Sequence, residues 1–216
     1  KFLDLVPGHT EKKLFIATFG RVLSSGDFIL GEEVKNFEKK FAEYLGVKYC
    51  IGVANGLEAL QIALMAENIG SGDEVITTPV SAVATTLAVM ALGAKPVFVD
   101  TDEHGLINAD LIEEAVTKKT KAILPVHLYG NSANLLKIRK ICRTYKLSLI
   151  EDAAQSHGSK FKNKFLGTLG NLGCFSFYPT KNLGALGDGG AIVTDNKKLD
   201  NICRQIRDYG QSQKYV

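Results

Sequence analysis

Residues 49–66 read YCIGVANGLEALQIALMA, a short apolar run followed by a turn and then a longer segment with helical spacing. The run Tyr49–Ala54 has the length and composition of a buried strand, whereas Gly56–Ala66 has those of a helix. A single turn, Asn55-Gly56, joins them. Much of the chain follows the same strand-turn-helix order as this stretch, although with different sequences.

The same alternation continues for the next hundred residues. Further strands are predicted at Glu74–Thr78, Pro96–Asp100, Ala122–His127 and Ser148–Asp152, and further helices at Val83–Leu92, Ala109–Ala115 and Asn134–Tyr145. The run AILPV at 122–126 is apolar on both faces, as a strand of a parallel sheet must be when helices cover both sides. The sequence therefore predicts an α/β, doubly wound domain with a mostly parallel sheet.

The two flanks of this region are less regular. Before it, helices are predicted at Glu11–Leu23 and Glu32–Leu45, as outer layers of the domain. After it come a loop at Gly167–Gly173, short strands at Phe175–Tyr178 and Ala191–Thr194, and a helix at Lys198–Tyr209. Because no internal repeat or low-complexity linker interrupts the chain, we predict one domain over residues 1–216, with an N-terminal helical segment at 1–46.

The composition excludes several classes of protein. With 216 residues, 45% hydrophobic and 23% charged, the chain can bury a large core and is not disordered. The formal net charge is only +3 and the charges are scattered, so neither nucleic acid nor a membrane surface is indicated as a partner. No apolar stretch is long enough for a membrane span, and the start, KFLD, is not a secretion signal.

The cysteines point to a reducing compartment. They are Cys50, Cys142, Cys174 and Cys203. They are far apart and lack any CxxC spacing, so neither a metal site nor a disulfide framework is predicted. Buried free thiols and a cytoplasmic location are the favoured interpretation.

In parallel sheets, ligands bind beyond the carboxyl ends of the strands, so the residues after each apolar run are the candidates for chemistry. The turn VANGLEAL after the first strand resembles a phosphate cradle, because the unpaired N–H groups of Asn55, Gly56 and Leu57 begin a helix. An ordinary helix capped by Asn55 is the alternative. The turn lacks the GxGxxG spacing of a dinucleotide fold and the GxxxxGK[ST] spacing of a P-loop.

A second candidate is EDAAQSHG, where two acids follow directly on a buried strand. The period of a strand places Glu151 and Asp152 on opposite faces, so they do not form one acid pair. A carboxylate in this position is costly unless paired, so Asp152 needs a cation, either His157 or a charged ligand. His157 itself is a candidate base or metal ligand, although a lone histidine is more often structural.

The third candidate is Lys181, in the stretch FSFYPTKNLGALGDGG between an apolar strand and a glycine-rich loop. Ser176, on the preceding strand, adds a hydroxyl. Three features together indicate pyridoxal 5'-phosphate as the cofactor. They are a phosphate held at a helix N-terminus, a carboxylate facing a ring cation, and a reactive lysine. In that chemistry the lysine forms a Schiff base with the aldehyde, and the carboxylate keeps the ring nitrogen protonated.

At these residues the sequence resembles the DegT/DnrJ/StrS family of nucleotide-sugar aminotransferases, over nearly the whole chain. The segments that carry the resemblance are VANGLEAL, GDEVITTPVSAVAT, KAILPVHLYG, EDAAQSHG and FSFYPTKNLGALGDGGAIVT. The resemblance implies an aspartate-aminotransferase-type fold (fold type I), of which this chain would be the large domain, without the smaller C-terminal domain.

The resemblance also implies roles for individual residues. Lys181 would be the Schiff-base lysine and Asp152 the partner of the pyridine nitrogen. Gln155 would lie beside the ring hydroxyl and Ala154 against the ring face. Ser176 would bind the phosphate together with the amides of Gly56–Leu57.

The implied reaction moves an amino group from an amino acid, usually glutamate, to a nucleotide-linked keto-deoxyhexose, for an O-antigen, glycan or antibiotic sugar. Within the family, the motifs are most similar to enzymes that make 3-amino-3,6-dideoxyhexoses on a dTDP carrier. Dehydratases of the family have histidine in place of the lysine, so Lys181 favours transamination.

The family works as homodimers with shared active sites. The apolar stretch Leu23–Ile29 is a candidate for that contact or for substrate lining, and a simple packing turn between two helices is the alternative. Ala82 departs from the family pattern, which often has an aromatic ring cover at this segment.

The sequence leaves two alternative functions to consider. A non-catalytic cofactor-binding or regulatory member of the same family is the alternative to the enzyme. A nucleotide-binding Rossmann domain is disfavoured, because the first strand-helix turn has one glycine rather than three.

Overall fold

The structure, a computed structural model, describes residues 4–211, so both ends of the predicted domain at 1–216 lie outside the described residues. The helices are α1 His9–Ser25, α2 Glu32–Leu45, α3 Gly56–Ala66, α4 Val83–Ala91, α5 Leu135–Tyr145 and α6 Lys197–Arg207. The strands are β1 Tyr49–Val53, β2 Glu74–Thr77, β3 Lys95–Phe98, β4 Thr120–Ile123, β5 Ser148–Asp152, β6 Lys160–Phe161, β7 Lys164–Phe165, β8 Leu172–Ser176 and β9 Gly190–Thr194.

Seven strands form the main sheet, in the order β1-β9-β8-β5-β4-β2-β3. The neighbours β8-β5, β5-β4, β4-β2 and β2-β3 are parallel, whereas β9 runs antiparallel to both β1 and β8. Every strand of this sheet except β9 therefore ends at the same edge, and β9 begins there. The predicted mostly parallel α/β sheet is confirmed.

Both faces of the sheet are buried, which explains why its strands are apolar throughout. On β5, Leu149 packs in one core cluster with α5, whereas its neighbour Ile150 packs in another with α3 and α4. On β8, Cys174 lies in the α3 cluster, and Phe175 packs on the other face against Phe41 of α2. Successive side chains point to opposite faces, and each face carries a helical layer.

The predicted helix Ala109–Ala115 is wrong. The structure has turns there and a short 3-10 helix at Glu113–Ala115. Asn108 explains the difference, because its Oδ1 accepts a hydrogen bond from the Asp110 N–H and its carbonyl accepts one from the Leu111 N–H. Such local bonds compete with a helix, and a segment of this length cannot outweigh them.

The predicted loop Gly167–Gly173 and the predicted strand Phe175–Tyr178 are displaced relative to the structure. Strand β8 begins at Leu172 and ends at Ser176, because Gly173 pairs with Glu151 on one side and Val193 on the other. The two-stranded hairpin of β6 and β7 was not predicted. The carboxyl end of β8 at Ser176 is the end that lies at the same edge as Asp152.

Candidate functional site

The turn between β1 and α3 has the predicted helix-capping geometry. Asn55 Oδ1 accepts a hydrogen bond from the Glu58 N–H at 2.9 Å, which leaves the N–H groups of Gly56 and Leu57 without a protein acceptor among the described residues. The cap and the cradle are therefore compatible, because the side chain satisfies one donor and the helix N-terminus retains others.

This turn lies directly against the end of β8. A Cβ added to Gly56 would lie 2.7 Å from the Cβ of Ser176 and 3.2 Å from its hydroxyl oxygen. Only glycine permits this approach. Ser176 is buried, and its Oγ accepts from the Tyr178 N–H at 3.3 Å. A hydroxyl and two free amides thus border one small space, which suits a phosphate group.

Asp152 ends β5 at the same edge and is 5% exposed. Its Oδ2 accepts from the Thr85 hydroxyl at 2.8 Å and its Oδ1 from the Ala154 N–H at 3.1 Å. Burial raises the pKa of Asp152, and the bond from Thr85 and the charge of Lys181 only partly offset it. No ion pair to Asp152 is formed among the described residues, so a cationic ligand would stabilise its charged form.

Glu151 points to the opposite face, as predicted from the strand period. Its Oε2 accepts from His127 Nε2 at 2.8 Å and from the Gly167 N–H at 3.0 Å. Its Oε1 accepts from the N–H groups of Leu169 and Gly170 at 2.7 and 2.6 Å. Glu151 is therefore a structural anchor for the 167–170 loop, behind the candidate site.

Lys181 lies in a loop that closes back on the strand before it. The Lys181 N–H donates to the Tyr178 carbonyl at 2.8 Å, and the Ala185 N–H donates to the Phe177 carbonyl at 2.7 Å. A Cβ on Gly184 would lie 2.5 Å from the Pro179 carbonyl, so the loop needs glycine there. Because this loop follows the end of β8, which is parallel to β5, Lys181 lies at the same edge of the sheet as Asp152, and its charge affects the pKa values of Asp152 and His157.

The family resemblance assigns Ala154 and Gln155 to contacts with the ring of the cofactor. Ala154 lies two residues after Asp152 and is partly buried. Gln155 Oε1 accepts from the Tyr129 N–H at 3.0 Å, which fixes the side chain and leaves its amide NH₂ group as a donor. Ala82 is exposed and lies just before α4. It therefore provides no aromatic ring at the position where the family often has one to cover the cofactor.

His157 is not the partner of Asp152. Its ring lies 5.5 Å from the rings of Phe175 and Phe177, and neither ring nitrogen has a hydrogen-bond partner among the described residues. Burial and the nearby charge of Lys181 lower the pKa of His157 to about 4. The imidazole is therefore neutral at physiological pH. Of the two cations predicted to pair with Asp152, His157 is excluded and a charged ligand remains.

The structure thus brings Gly56, Leu57, Ser176, Asp152 and Lys181 to one edge of the sheet. Sequence reasoning missed two side chains beside them. Thr85 is one of two neighbouring threonines in an otherwise apolar helix, VATTLAVMA, and this pair was the only signal in the sequence. His127 lay inside a predicted strand, and its pairing with Glu151 carries no local signal.

The described residues also form a separate groove of about 720 Å³. It lies behind the Lys181 loop and is lined by Ile29, Phe37, Val53, Phe177 and Leu183, among others, but not by Lys181 or Asp152. In residues 4–211 no cluster of His, Cys, Asp and Glu could hold a metal ion, and no helix is long and apolar enough to cross a membrane.

Known proteins are similar to this chain over nearly its whole length. The family model described as the DegT/DnrJ/EryC1/StrS aminotransferase family matches residues 9–216. The chain is 52% identical over 217 residues to the dTDP-3-amino-3,6-dideoxy-alpha-D-galactopyranose transaminase of Aneurinibacillus thermoaerophilus, covering 99% of this chain and 60% of that protein.

Two solved structures show the same fold. The structure of S. venezuelae DesV in complex with a ketimine intermediate superposes with a TM-score of 0.96 at 43% identity, over 100% of this chain and 59% of DesV. The Bacillus subtilis protein NtdA, with bound cofactor PMP, has a TM-score of 0.87 at 39% identity, over 94% of this chain and 47% of NtdA. The chain spans about three fifths of the length of the curated relatives that it matches.

Proposed function

The chain belongs to the DegT/DnrJ/EryC1/StrS aminotransferase family, and from this premise we propose that it acts as a pyridoxal-phosphate-dependent aminotransferase of nucleotide sugars. The observation that carries the proposal is the convergence of Lys181, Asp152, Ser176 and the N-terminus of α3 at one edge of the sheet. Solved relatives carry this cofactor or its amine form.

The residues present fit the cofactor. Its phosphate would be held by the Ser176 hydroxyl and the free N–H groups of Gly56 and Leu57, in the space that a side chain at 56 would fill. Asp152, buried without a protein cation among the described residues, would pair with the protonated ring nitrogen. The donor amide of Gln155 and the Ala154 methyl group would contact the ring.

When bound, pyridoxal phosphate supplies an aldehyde that takes up the amino group and a ring that withdraws electrons from the reacting carbon. Lys181 would provide the amine that holds this aldehyde and would carry the proton of the donor's Cα. Asp152 would keep the ring nitrogen protonated, because an ionised carboxylate in a buried position stabilises a neighbouring cation.

We further propose glutamate as the donor and a dTDP-linked 3-keto-6-deoxyhexose as the acceptor, with the product used for an O-antigen, glycan or antibiotic sugar in the cytoplasm. The names of the curated relatives support a nucleotide sugar, since dTDP and UDP sugars both occur among them. The relatives named as transaminases also disfavour the regulatory alternative.

The test of the reaction is spectroscopic. The full chain loaded with the cofactor should absorb in the visible range, and glutamate should convert that band to the amine form of the cofactor. Borohydride reduction followed by mass spectrometry should locate the cofactor on Lys181. Lys181→Ala should abolish the visible band, with Lys160→Ala as a matched lysine control, and an unchanged spectrum in Lys181→Ala would refute the proposal.

The assembly is proposed to be a homodimer with shared active sites. Helix α1 has no buried residue, and apolar side chains on it and in the segment after it are exposed: Leu14, Phe15, Phe19, Leu23, Phe28 and Ile29. The exposure of Phe28 and Ile29, 65% and 75%, argues against a simple packing turn at Leu23–Ile29. An apolar patch of this kind is typical of an interface.

Light scattering of the full chain tests the dimer. Phe19→Asp combined with Phe28→Asp should shift the mass toward the monomer, because charges would be placed in the apolar contact. Leu136→Asp is the matched control, since Leu136 on α5 is 53% exposed and lies outside this set. A wild-type monomer at micromolar concentration, or an equal shift with the control, would refute the interface.

A further inference from the structure

Thr85 links α4 to Asp152 through a hydrogen bond, and none of the roles proposed above is assigned to it. Its side chain is fully buried, at 0% exposure, and its hydroxyl lies 2.8 Å from Asp152 Oδ2. On the other side, Ser81 Oγ lies 2.7 Å from the Thr85 hydroxyl. The three side chains form a line from the partly exposed Ser81 to the buried carboxylate.

The direction of the hydrogen bonds follows from the donors available. An ionised carboxylate only accepts, so the single hydroxyl proton of Thr85 points to Asp152. Ser81 must then donate to Thr85. The Ala154 N–H holds the other carboxylate oxygen at 3.1 Å. Each oxygen of Asp152 thus has one donor, which fixes the plane of the carboxylate and leaves further lone pairs for a ligand.

We propose that Thr85 is a positioning residue for the cofactor, holding the Asp152 carboxylate ionised and in the orientation that meets the ring nitrogen. This inference rests on the proposed function. Thr85 does not touch the reacting atoms and acts through Asp152. A hydrogen bond to a charged acceptor is stronger than one between neutral groups, and a buried carboxylate with few donors depends on each of them.

The pKa of Asp152 supports the same reading. Burial raises it, and the bond from Thr85 is the largest of the effects that oppose burial. Removal of the hydroxyl would raise this pKa further and favour the neutral acid, which cannot pair with a ring cation.

The experiment compares cofactor binding by variants of the full chain, stripped of cofactor and titrated with pyridoxal phosphate. Thr85→Val keeps the side-chain volume but loses the hydroxyl, and should raise the dissociation constant about 10- to 100-fold, as expected for one charge-assisted bond. The pH dependence of the bound cofactor's absorbance should shift as well. Thr85→Ser should restore both readouts.

A matched control separates positioning from a general loss of packing. Thr77 is also fully buried, but its hydroxyl donates to the backbone carbonyl of Leu124 at 2.8 Å and does not contact Asp152. Thr77→Val should therefore leave cofactor affinity unchanged. If Thr85→Val does not fold, Ser81→Ala at the partly exposed end should show a smaller loss of the same kind.

The outcomes distinguish the two proposals. Wild-type protein that fails to bind the cofactor on Lys181 overturns the proposed function and this inference with it. Normal wild-type binding together with undiminished binding by Thr85→Val, or by Ser81→Ala where it stands in, overturns only the role of Thr85. An equal loss in Thr77→Val also overturns it, because the effect would then be one of folding.

Discussion

Glu151 and Asp152 are neighbours on one strand, are both buried, and carry the same functional group in opposite surroundings. Glu151 is 0% exposed and has four donors on its two oxygens. Asp152 has two donors, Thr85 and Ala154, and faces the open edge of the sheet. One carboxylate is satisfied by the fold itself, and the other is left for a ligand.

The pKa values record this difference. Burial alone would raise the pKa of Glu151, but the hydrogen bonds from His127, Gly167 and Gly170 outweigh burial and lower it. For Asp152 burial prevails, and its pKa is raised. A group that remains desolvated and short of partners is characteristic of a functional site, since stability is given up there for binding.

The largest expected effect is the loss of the Glu151 anchor. Glu151→Gln replaces one acceptor oxygen with an NH₂ group, so that donors would face a donor. We expect the full chain to lose about 3–5 kcal/mol of unfolding free energy, as when a buried charge network is broken. Urea unfolding followed by circular dichroism measures it. A loss below about 1 kcal/mol would show that the 167–170 loop does not depend on Glu151.

Asp152→Asn, the matched substitution on the opposite face of the sheet, should lower the free energy of unfolding much less than Glu151→Gln. Asp152→Asn removes a desolvated charge, its amide oxygen can still accept from Thr85, and its NH₂ group would face one donor, the Ala154 N–H, instead of the several donors around Glu151. In the cofactor-free chain we expect an unfolding free energy within about 1 kcal/mol of the wild type. Cofactor binding and turnover should nevertheless fall sharply. A destabilisation as large as that of Glu151→Gln would erase the contrast between the two acids.

The pH dependence of stability should have opposite signs at the two positions. Glu151, with a lowered folded pKa, stabilises the fold above its unfolded value of about 4.5, and this is lost as the pH falls through the folded pKa. Asp152, with a raised folded pKa, favours the fold below its unfolded value of about 3.8 and loses this as the pH rises.

Unfolding of the cofactor-free proteins across pH 3–7 checks both signs. The deficit of Glu151→Gln relative to wild type should shrink toward acid. The stability of Asp152→Asn relative to wild type should increase toward neutral pH. The same sign in both variants would contradict the assignment of the two environments.

The smallest effect is expected at His157, a third buried titratable group near this edge. Because its folded pKa is lowered to about 4, it stabilises the fold above its unfolded value of about 6.5. That contribution is lost as the pH falls from 6.5 toward 4. His157→Gln should flatten this part of the stability profile, by less than about 1 kcal/mol at pH 6. An unchanged slope would mean that folding does not lower the pKa of His157.

Much of the fold could be predicted from the sequence. Helices α2 and α3 and strand β5 begin and end at the predicted residues, because their apolar spacing and capping residues are local signals. The helix at Ala109–Ala115 failed because Asn108 forms local turns that periodicity does not reveal. Strand β8 was displaced because its ends are set by pairing with β5 and β9.

The candidate site divides in the same way. Lys181, Asp152, Ser176 and the turn at Gly56 carry recognisable residue types after apolar runs, so the sequence could indicate them. Thr85 and His127 could not be assigned, since each acts through a side chain distant along the chain. The sequence also could not decide between His157 and a ligand as the cation for Asp152.

By itself, the sequence determined the alternation of strands and helices, the family resemblance, and the opposite faces of Glu151 and Asp152, because these depend on residue type and the two-residue period of a strand. Only the tertiary structure decided which acid is satisfied and which is open. The donors to Glu151 come from the 167–170 loop and from His127, whereas Asp152 receives its side-chain donor from α4. Contacts between distant segments set the number of hydrogen bonds, and that number separates a structural carboxylate from one available to a ligand.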